Sequence, residues 1–263
     1  EELVKLLLEF LAHSKWRTRR AAAESLVELG NASVKATEQA FQDNHPDKQY
    51  WAAWVLARLG QAGFPILQKA MHSDSRKMRE IAVSSLGNCG IDEAVAPLVE
   101  ALGDPEWTIR SRASSALLRY GDTTLEPLLL ALESDNQDKC FWAARTLGGL
   151  LDKGKIGNIT PLIDLLKNAT GISSRLLVYA LGMSNSAEAI KTVAAYLDDP
   201  DRNVRIAACH SLEKAGLEAV EPLFEVLRGG NPEGRYWSAA ALGRVLAFAD
   251  QEIHDELLET VRN

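Results

Sequence analysis

Apolar and polar positions along this chain follow a pattern that recurs about every 30 residues. In each copy small residues precede a leucine, and a glycine usually stands four positions after it, as in the segments ending at Gly30 and Gly121. The successive leucines are 30, 30, 31, 30, 34, 31 and 30 residues apart: Leu26, Leu56, Leu86, Leu117, Leu147, Leu181, Leu212 and Leu242. A fixed period of this length is the sequence signature of a solenoid of stacked repeats.

Each repeat contains two segments with helical periodicity and leaves no room for a strand. In the second segment, Ile109, Ala113 and Leu117 recur at a helical step. Asp104-Pro105 predicts an N-cap followed by proline at the first helical position, and Gly121 stands where a helix end needs positive φ. The same start signal recurs at Asp199-Pro200 and Asn231-Pro232.

The first segment is a shorter apolar helix with a proline near its start, as in 94–102 with Pro97. Together with the Asp-Pro to Arg spacing at 104–110 and 199–205, this pattern resembles HEAT repeats, and in its compact form the short HEAT-like repeats named after the phycobilisome bilin lyases. The resemblance covers essentially the whole chain. It implies an all-α fold, a right-handed α-solenoid (superhelix) of about eight two-helix repeats.

We therefore expect one HEAT-like array over residues 1–263. Its repeats should end near residues 30, 60, 90, 121, 151, 185, 216 and 246, with a partial repeat at 247–263. The spacing widens to 34 between Leu147 and Leu181, where LLDKGKIGNITPL is inserted. This insertion is open to two interpretations, a recognition loop or a surface insertion without a role.

Composition narrows the function classes. The net charge of −7 and pI near 5.4 argue against binding to nucleic-acid phosphates. Three cysteines without metal-ligand spacing favour free thiols in a reducing compartment, hence a cytoplasmic location. The chain has no apolar run that predicts a membrane span, and its charged start predicts no secretory signal. The missing initial Met and the repeat-like last segment suggest a piece of a longer array.

Motifs of catalysis are missing from the sequence. It contains no GxxxxGK[ST], GxSxG or HExxH, and the five histidines occupy non-equivalent positions of the repeats. Deoxyhypusine hydroxylases share this repeat type and bind iron through His-Glu pairs, but no His-Glu dipeptide occurs here. We expect no catalytic residue, no metal ligand and no cofactor in this chain.

Arginine fills five of the eight positions that lie seven residues before the leucines: Arg19, Arg79, Arg110, Arg205 and Arg235. One interpretation is a basic stripe for an anionic ligand. The other, which we favour, is that each guanidinium bridges an aspartate or backbone carbonyls at a junction between repeats.

Aromatic pairs occur in every third repeat, as Tyr50-Trp51, Phe141-Trp142 and Tyr236-Trp237. We expect the tryptophans to pack and the residue before each to face solvent, on the second-helix side that the resemblance makes concave. Exposed aromatics beside arginines are typical of interface centres. The predicted partner-binding set on this concave face is Tyr50, Trp54, Arg112, Phe141, Arg145, Tyr179, His210 and Tyr236.

These observations favour a non-catalytic scaffold or adaptor that binds a protein partner along the concave face. The alternative follows from the resemblance. It is a bilin lyase-like subunit or chaperone that binds a linear tetrapyrrole such as phycocyanobilin, together with a phycobiliprotein, and is active only with a second HEAT-like subunit. There, Arg112 and Arg145 would meet the propionates of the pigment.

Overall fold

A computed structural model describes residues 2–247, which form sixteen α-helices and no strand. The chain divides into two compact units, Glu1–Ala143 and Ala144–Asn263, and the division falls within one helix. The predicted partial repeat at 247–263 lies outside the described residues except for Ala247. The expectation of one continuous array over residues 1–263 stays a prediction.

The helices of the first unit alternate between the first and second helix of a repeat. They are α1 (Glu2–Phe10), α2 (Trp16–Glu28), α3 (Asn31–Phe41), α4 (Pro46–Arg58), α5 (Phe64–Ala70), α6 (Arg76–Leu86), α7 (Val95–Glu100), α8 (Trp107–Leu117), α9 (Leu125–Leu132) and α10 (Gln137–Asp152), which runs into the second unit. Second helices pack on one another in series, α2 on α4, α4 on α6 and α6 on α8.

The second unit continues the alternation. Its helices are α11 (Thr160–Asn168), α12 (Gly171–Leu181), α13 (Ala187–Ala195), α14 (Arg202–Ala215), α15 (Val220–Gly229) and α16 (Pro232–Leu246). Here α12 packs on α14 and α14 on α16. The sixteen helices make eight pairs, and the all-helical prediction is confirmed.

The core is built from the small residues and leucines that define the repeat. Ala22, Ala53, Ala82 and Ala113 are buried on second helices, where small side chains allow neighbouring helices to approach closely. All eight repeat leucines are buried: Leu26, Leu56, Leu86, Leu117, Leu147, Leu181, Leu212 and Leu242. Burial of a leucine contributes roughly 1.5–3 kcal/mol, so this one position per repeat is a principal source of stability.

Two of the three predicted helix starts are wrong. Helix α8 begins at Trp107 with Glu106 as N-cap, and α14 begins at Arg202 with Asp201 as N-cap. Asp104 is not a cap, because its Oδ1 accepts the Glu106 amide at 2.8 Å and its carboxylate also binds Arg79. The start at Asn231-Pro232 is confirmed, with the Asn231 side chain accepting the Gly234 amide at 2.8 Å.

Glycine ends the second helices as expected. Gly121 has a φ of +58°. This conformation costs free energy in any residue that carries a side chain. The same left-handed geometry is found at the equivalent glycines Gly30, Gly60, Gly90 and Gly216.

The insertion between α10 and α11 is anchored to the core. Ile156 and Ile159 are buried, and the Lys155 amide donates to the carbonyl of Leu150 at 2.8 Å. The insertion is therefore more than an exposed loop, because two of its side chains are buried.

Candidate functional site

The predicted binding residues divide equally between the two units. Tyr50, Trp54, Arg112 and Phe141 belong to the first, and Arg145, Tyr179, His210 and Tyr236 to the second. Seven of the eight side chains are exposed, and Trp54 is half-buried. Their role in binding remains a prediction.

Helix α4 carries a continuous aromatic surface, which we call the α4 cluster: Tyr50, Trp51, Trp54 and Arg58. The rings of Tyr50 and Trp51 meet edge to face with centroids 5.7 Å apart, and Trp51 meets Trp54 at 5.8 Å. The Arg58 guanidinium lies 5.4 Å from the Trp54 ring centroid, a cation–π distance. Tyr50 is 56% exposed, so this rigid surface faces solvent.

A second aromatic group joins α8 to α10. Trp142 is buried, as expected, and Phe141 meets it edge to face at 6.0 Å while remaining 48% exposed. Trp107 meets the same Trp142 ring at 6.0 Å and is 61% exposed. Sequence reasoning missed Trp107, although its position at the start of a second helix is shared by the exposed Trp16 and was a usable signal.

Arg112 is held by its neighbours on α6. Its Nη2 lies 2.6 Å from the Glu80 carboxylate, and its Nη1 donates to the Ser84 hydroxyl at 3.4 Å. In the turn that follows α8, Arg119 donates to the Gly87 carbonyl at 3.0 Å and to the Asn88 side chain. These two arginines border a cavity of about 300 Å³ between α6 and α8, which we call the α6–α8 pocket.

In the second unit, several charged and polar side chains surround Glu213 on α14. Its carboxylate binds Arg244, accepts from the Cys209 thiol at 3.1 Å and lies 3.6 Å from Nδ1 of His210. Tyr236 meets Trp237 edge to face at 5.7 Å and is 67% exposed. The aromatic pair of the last repeat thus repeats the geometry of Tyr50 and Trp51.

The arginine position seven residues before each leucine has a structural role. Arg79 binds both carboxylate oxygens of Asp104 in the next repeat, at 2.8 and 3.3 Å, and donates to the Ser73 carbonyl at 2.9 Å. Arg110 and Arg205 donate to carbonyls of their own turns at 2.6 and 2.7 Å. The favoured interpretation, a ladder at the repeat junctions, is confirmed, and a basic stripe for a ligand is wrong for these residues.

All three cysteines are free thiols. Cys89 is half-buried, whereas Cys140 and Cys209 are buried. Burial, with a smaller effect of the Glu213 carboxylate, raises the pKa of Cys209 to about 12, and burial also raises the pKa of Cys140. Neither buried thiol is suited to act as a nucleophile at neutral pH, since the thiolate is the reactive form.

Residues 2–247 contain no group of three His, Cys, Asp or Glu side chains placed to hold a metal ion. None of the helices in that part of the chain combines the length and the apolar character needed to cross a bilayer.

Comparison with known proteins assigns the repeats to a family. Residues 34–118, 64–148 and 159–243 match the HEAT-repeat family. The chain is 25% identical to the phycocyanobilin lyase subunit alpha of Picosynechococcus sp. over 81% of its length and 74% of that protein. It is 24% identical to the subunit of the same name from Nostoc sp., over 78% of this chain and 71% of the relative. The resemblance to the bilin-lyase type of HEAT repeat is therefore confirmed.

Among solved structures, human deoxyhypusine hydroxylase is similar over 92% of this chain and 95% of its own, with 19% identity and a TM-score of 0.37.

Proposed function

This chain belongs to the HEAT-repeat family, and we propose that it is a non-catalytic scaffold that binds a protein partner along the faces of its second helices. The observation that carries this is the exposed aromatic residue that starts each aromatic pair. Tyr50, Phe141 and Tyr236 stand at equivalent positions and each is fixed edge to face by the tryptophan that follows it. Rigid aromatics lose little conformational entropy on binding and are enriched among hot spots.

The surroundings of these aromatics suit an interface. Arginines at exposed positions of the same helix faces, such as Arg112 and Arg145, are the cations most enriched at interface centres. We expect the partner in the cytoplasm, because all three cysteines are free.

The test is affinity capture with a matched pair of variants. Wild-type protein, the double variant Tyr50→Ala/Phe141→Ala and the control Leu130→Ala are used to capture proteins from the native lysate, which are quantified by mass spectrometry. Leu130 is an exposed apolar residue on the first helix α9. A partner lost by the double variant and retained by Leu130→Ala supports the scaffold, and equal recovery by all three proteins contradicts it.

A second candidate is a bilin lyase-type subunit, which the two relatives named phycocyanobilin lyase subunit alpha favour. In this function the chain binds a linear tetrapyrrole and acts with a second HEAT-like subunit on a phycobiliprotein. The α4 cluster offers flat surfaces on which pyrrole rings can stack.

The second candidate is tested by adding phycocyanobilin to the purified protein and recording the absorbance spectrum. A saturable shift supports it, and an unchanged spectrum contradicts it. Transfer of the pigment to an apo-phycobiliprotein, with and without a second HEAT-like subunit, then tests whether a partner chain is required.

A further inference from the structure

The α6–α8 pocket has an unusual lining for a cavity in an acidic protein. None of its seven lining residues is a carboxylate, and two are arginines. The lining residues are Ser84, Asn88, Ser111, Arg112, Ser115, Ala116 and Arg119. Two guanidinium groups, three hydroxyls and an amide thus surround a space of about 300 Å³, which is the lower end of the range for small-ligand sites.

The two arginines reach the pocket from neighbouring segments. Arg112 lies on α8, and Arg119 lies in the turn that follows Leu117, the last residue of that helix. Arg112 meets Glu80 on α6, and Arg119 meets the carbonyl of Gly87, the C-cap of α6. Ser115 lies between them in the lining.

The charge of the pocket is positive. Glu80 offsets the charge of Arg112, but the two hydrogen-bond acceptors of Arg119 are neutral oxygens of Gly87 and Asn88. Each guanidinium has five N–H donors, and the bonds named here leave others available. A carboxylate is the anion whose planar, two-oxygen geometry matches such a fork.

The α4 cluster lies beside this pocket in the stack. Trp54, Ser84 and Ser115 occupy the same position of successive second helices, two residues before the leucine, and α4 packs on α6 as α6 packs on α8. Since packed helices are about 8–10 Å apart, the aromatic surface is roughly 10–15 Å from the middle of the pocket. One ligand with a flat apolar body and carboxylate arms can reach both.

We infer that the α6–α8 pocket binds the propionate carboxylates of a linear tetrapyrrole whose rings stack on the α4 cluster. This inference rests on the second candidate function. An acidic protein segment would use the arginines equally well, but it has no need of the flat aromatic surface beside them, and this favours the pigment.

The experiment compares phycocyanobilin with its dimethyl ester, in which the carboxylates are uncharged. Binding of each is measured by absorbance titration to wild-type protein, Arg112→Gln/Arg119→Gln and the control Arg20→Gln. Arg20 is an exposed arginine on α2 that is ion-paired to Glu24, so this control removes a paired arginine that lies outside the pocket. We expect the free acid to bind wild-type and control proteins about tenfold or more tightly than the ester, and the double variant to lose this difference.

A third variant tests whether the ligand needs the space in the pocket while the charges of the pocket stay unchanged. Ser115→Leu retains both arginines but fills the pocket, and it should weaken binding of the free acid while circular dichroism stays unchanged. Equal binding of acid and ester by wild type would overturn the inference and leave the pigment-binding function standing. Binding of neither pigment, with binding of an acidic peptide that the double variant abolishes, would overturn both the ligand class and the second candidate function.

Discussion

Phe141 is exposed and Leu117 is buried, so replacing the first should affect binding and replacing the second should affect stability. Phe141→Ala should weaken partner binding by about 2 kcal/mol or more, because a rigid exposed aromatic is lost, and should lower stability only slightly. Leu117→Ala should destabilise by roughly 2–5 kcal/mol, since this fully buried side chain leaves a cavity. Partner titration and thermal melting of both variants provide the measurement. A collapsed fold in Phe141→Ala would contradict the assignment of its ring to the surface.

The cysteines should differ in reactivity. Cys89 is half-buried, whereas burial raises the pKa of Cys140 and, to about 12, that of Cys209. We expect a thiol reagent at pH 7.5 to modify Cys89 first, with the other two protected until the protein unfolds. Mass spectrometry of the peptides over time measures this order, and early modification of Cys209 would contradict it.

The raised pKa of Cys209 also predicts how the free energy of unfolding depends on pH. Because the folded state keeps this thiol protonated more strongly than the unfolded chain, whose thiol has a pKa near 8.5, its contribution to stability is complete below about pH 8.5. This contribution to the free energy of unfolding falls as the pH rises toward about 12.

At the scale of helices, close approach depends on a glycine at the end of α6. A Cβ added at Gly87 would lie 2.6 Å from the Cβ of Ala116 on α8, which is closer than such atoms can pack. Gly87→Ala should therefore push α6 and α8 apart and destabilise by about 1–3 kcal/mol. Gly243→Ala is the matched control, because open space surrounds that position in α16 and alanine favours helix. Chemical denaturation of both variants would refute the idea if Gly87→Ala were as stable as wild type.

The arginine ladder is tested by Arg79. Its side chain and the Asp104 carboxylate are both largely buried, so Arg79→Gln should destabilise by about 1–3 kcal/mol. Arg20→Gln breaks an exposed pair with Glu24 and should change stability by less than about 0.5 kcal/mol. Urea unfolding of the two variants measures the difference, and equal midpoints would show that the ladder contributes nothing.

The repeat period and the buried leucines could be predicted from sequence because every copy reports the same packing position. Helix starts could not, since the side chains of Asp104 and Asp199 each accept the amide two residues on, at Glu106 and Asp201. This local turn occupies the aspartate that the N-cap pattern assigns to the helix, and each helix begins three residues after it.

The candidate site was predictable only in part, because some of its contacts join different repeats. Exposure of Tyr50, Phe141 and Tyr236 follows from their helical position, and the structure agrees. The pairing of Arg112 with Glu80 joins residues 32 positions apart and is invisible to spacing within one helix. The α6–α8 pocket likewise exists only because two repeats stack.

At the scale of the whole molecule, the prediction of one array can be tested through its cooperativity. Helix α10 supplies core residues on both sides of the division between the units, with Trp142 in the first and Leu147 in the second. In a stacked array, stability is a sum of repeat terms and nearest-neighbour terms, so a helix shared in this way should couple the two transitions. We expect calorimetry to show one transition that both Leu117→Ala and Leu212→Ala move to lower temperature. Two transitions, each moved by only one of these variants, would show instead that the units unfold independently.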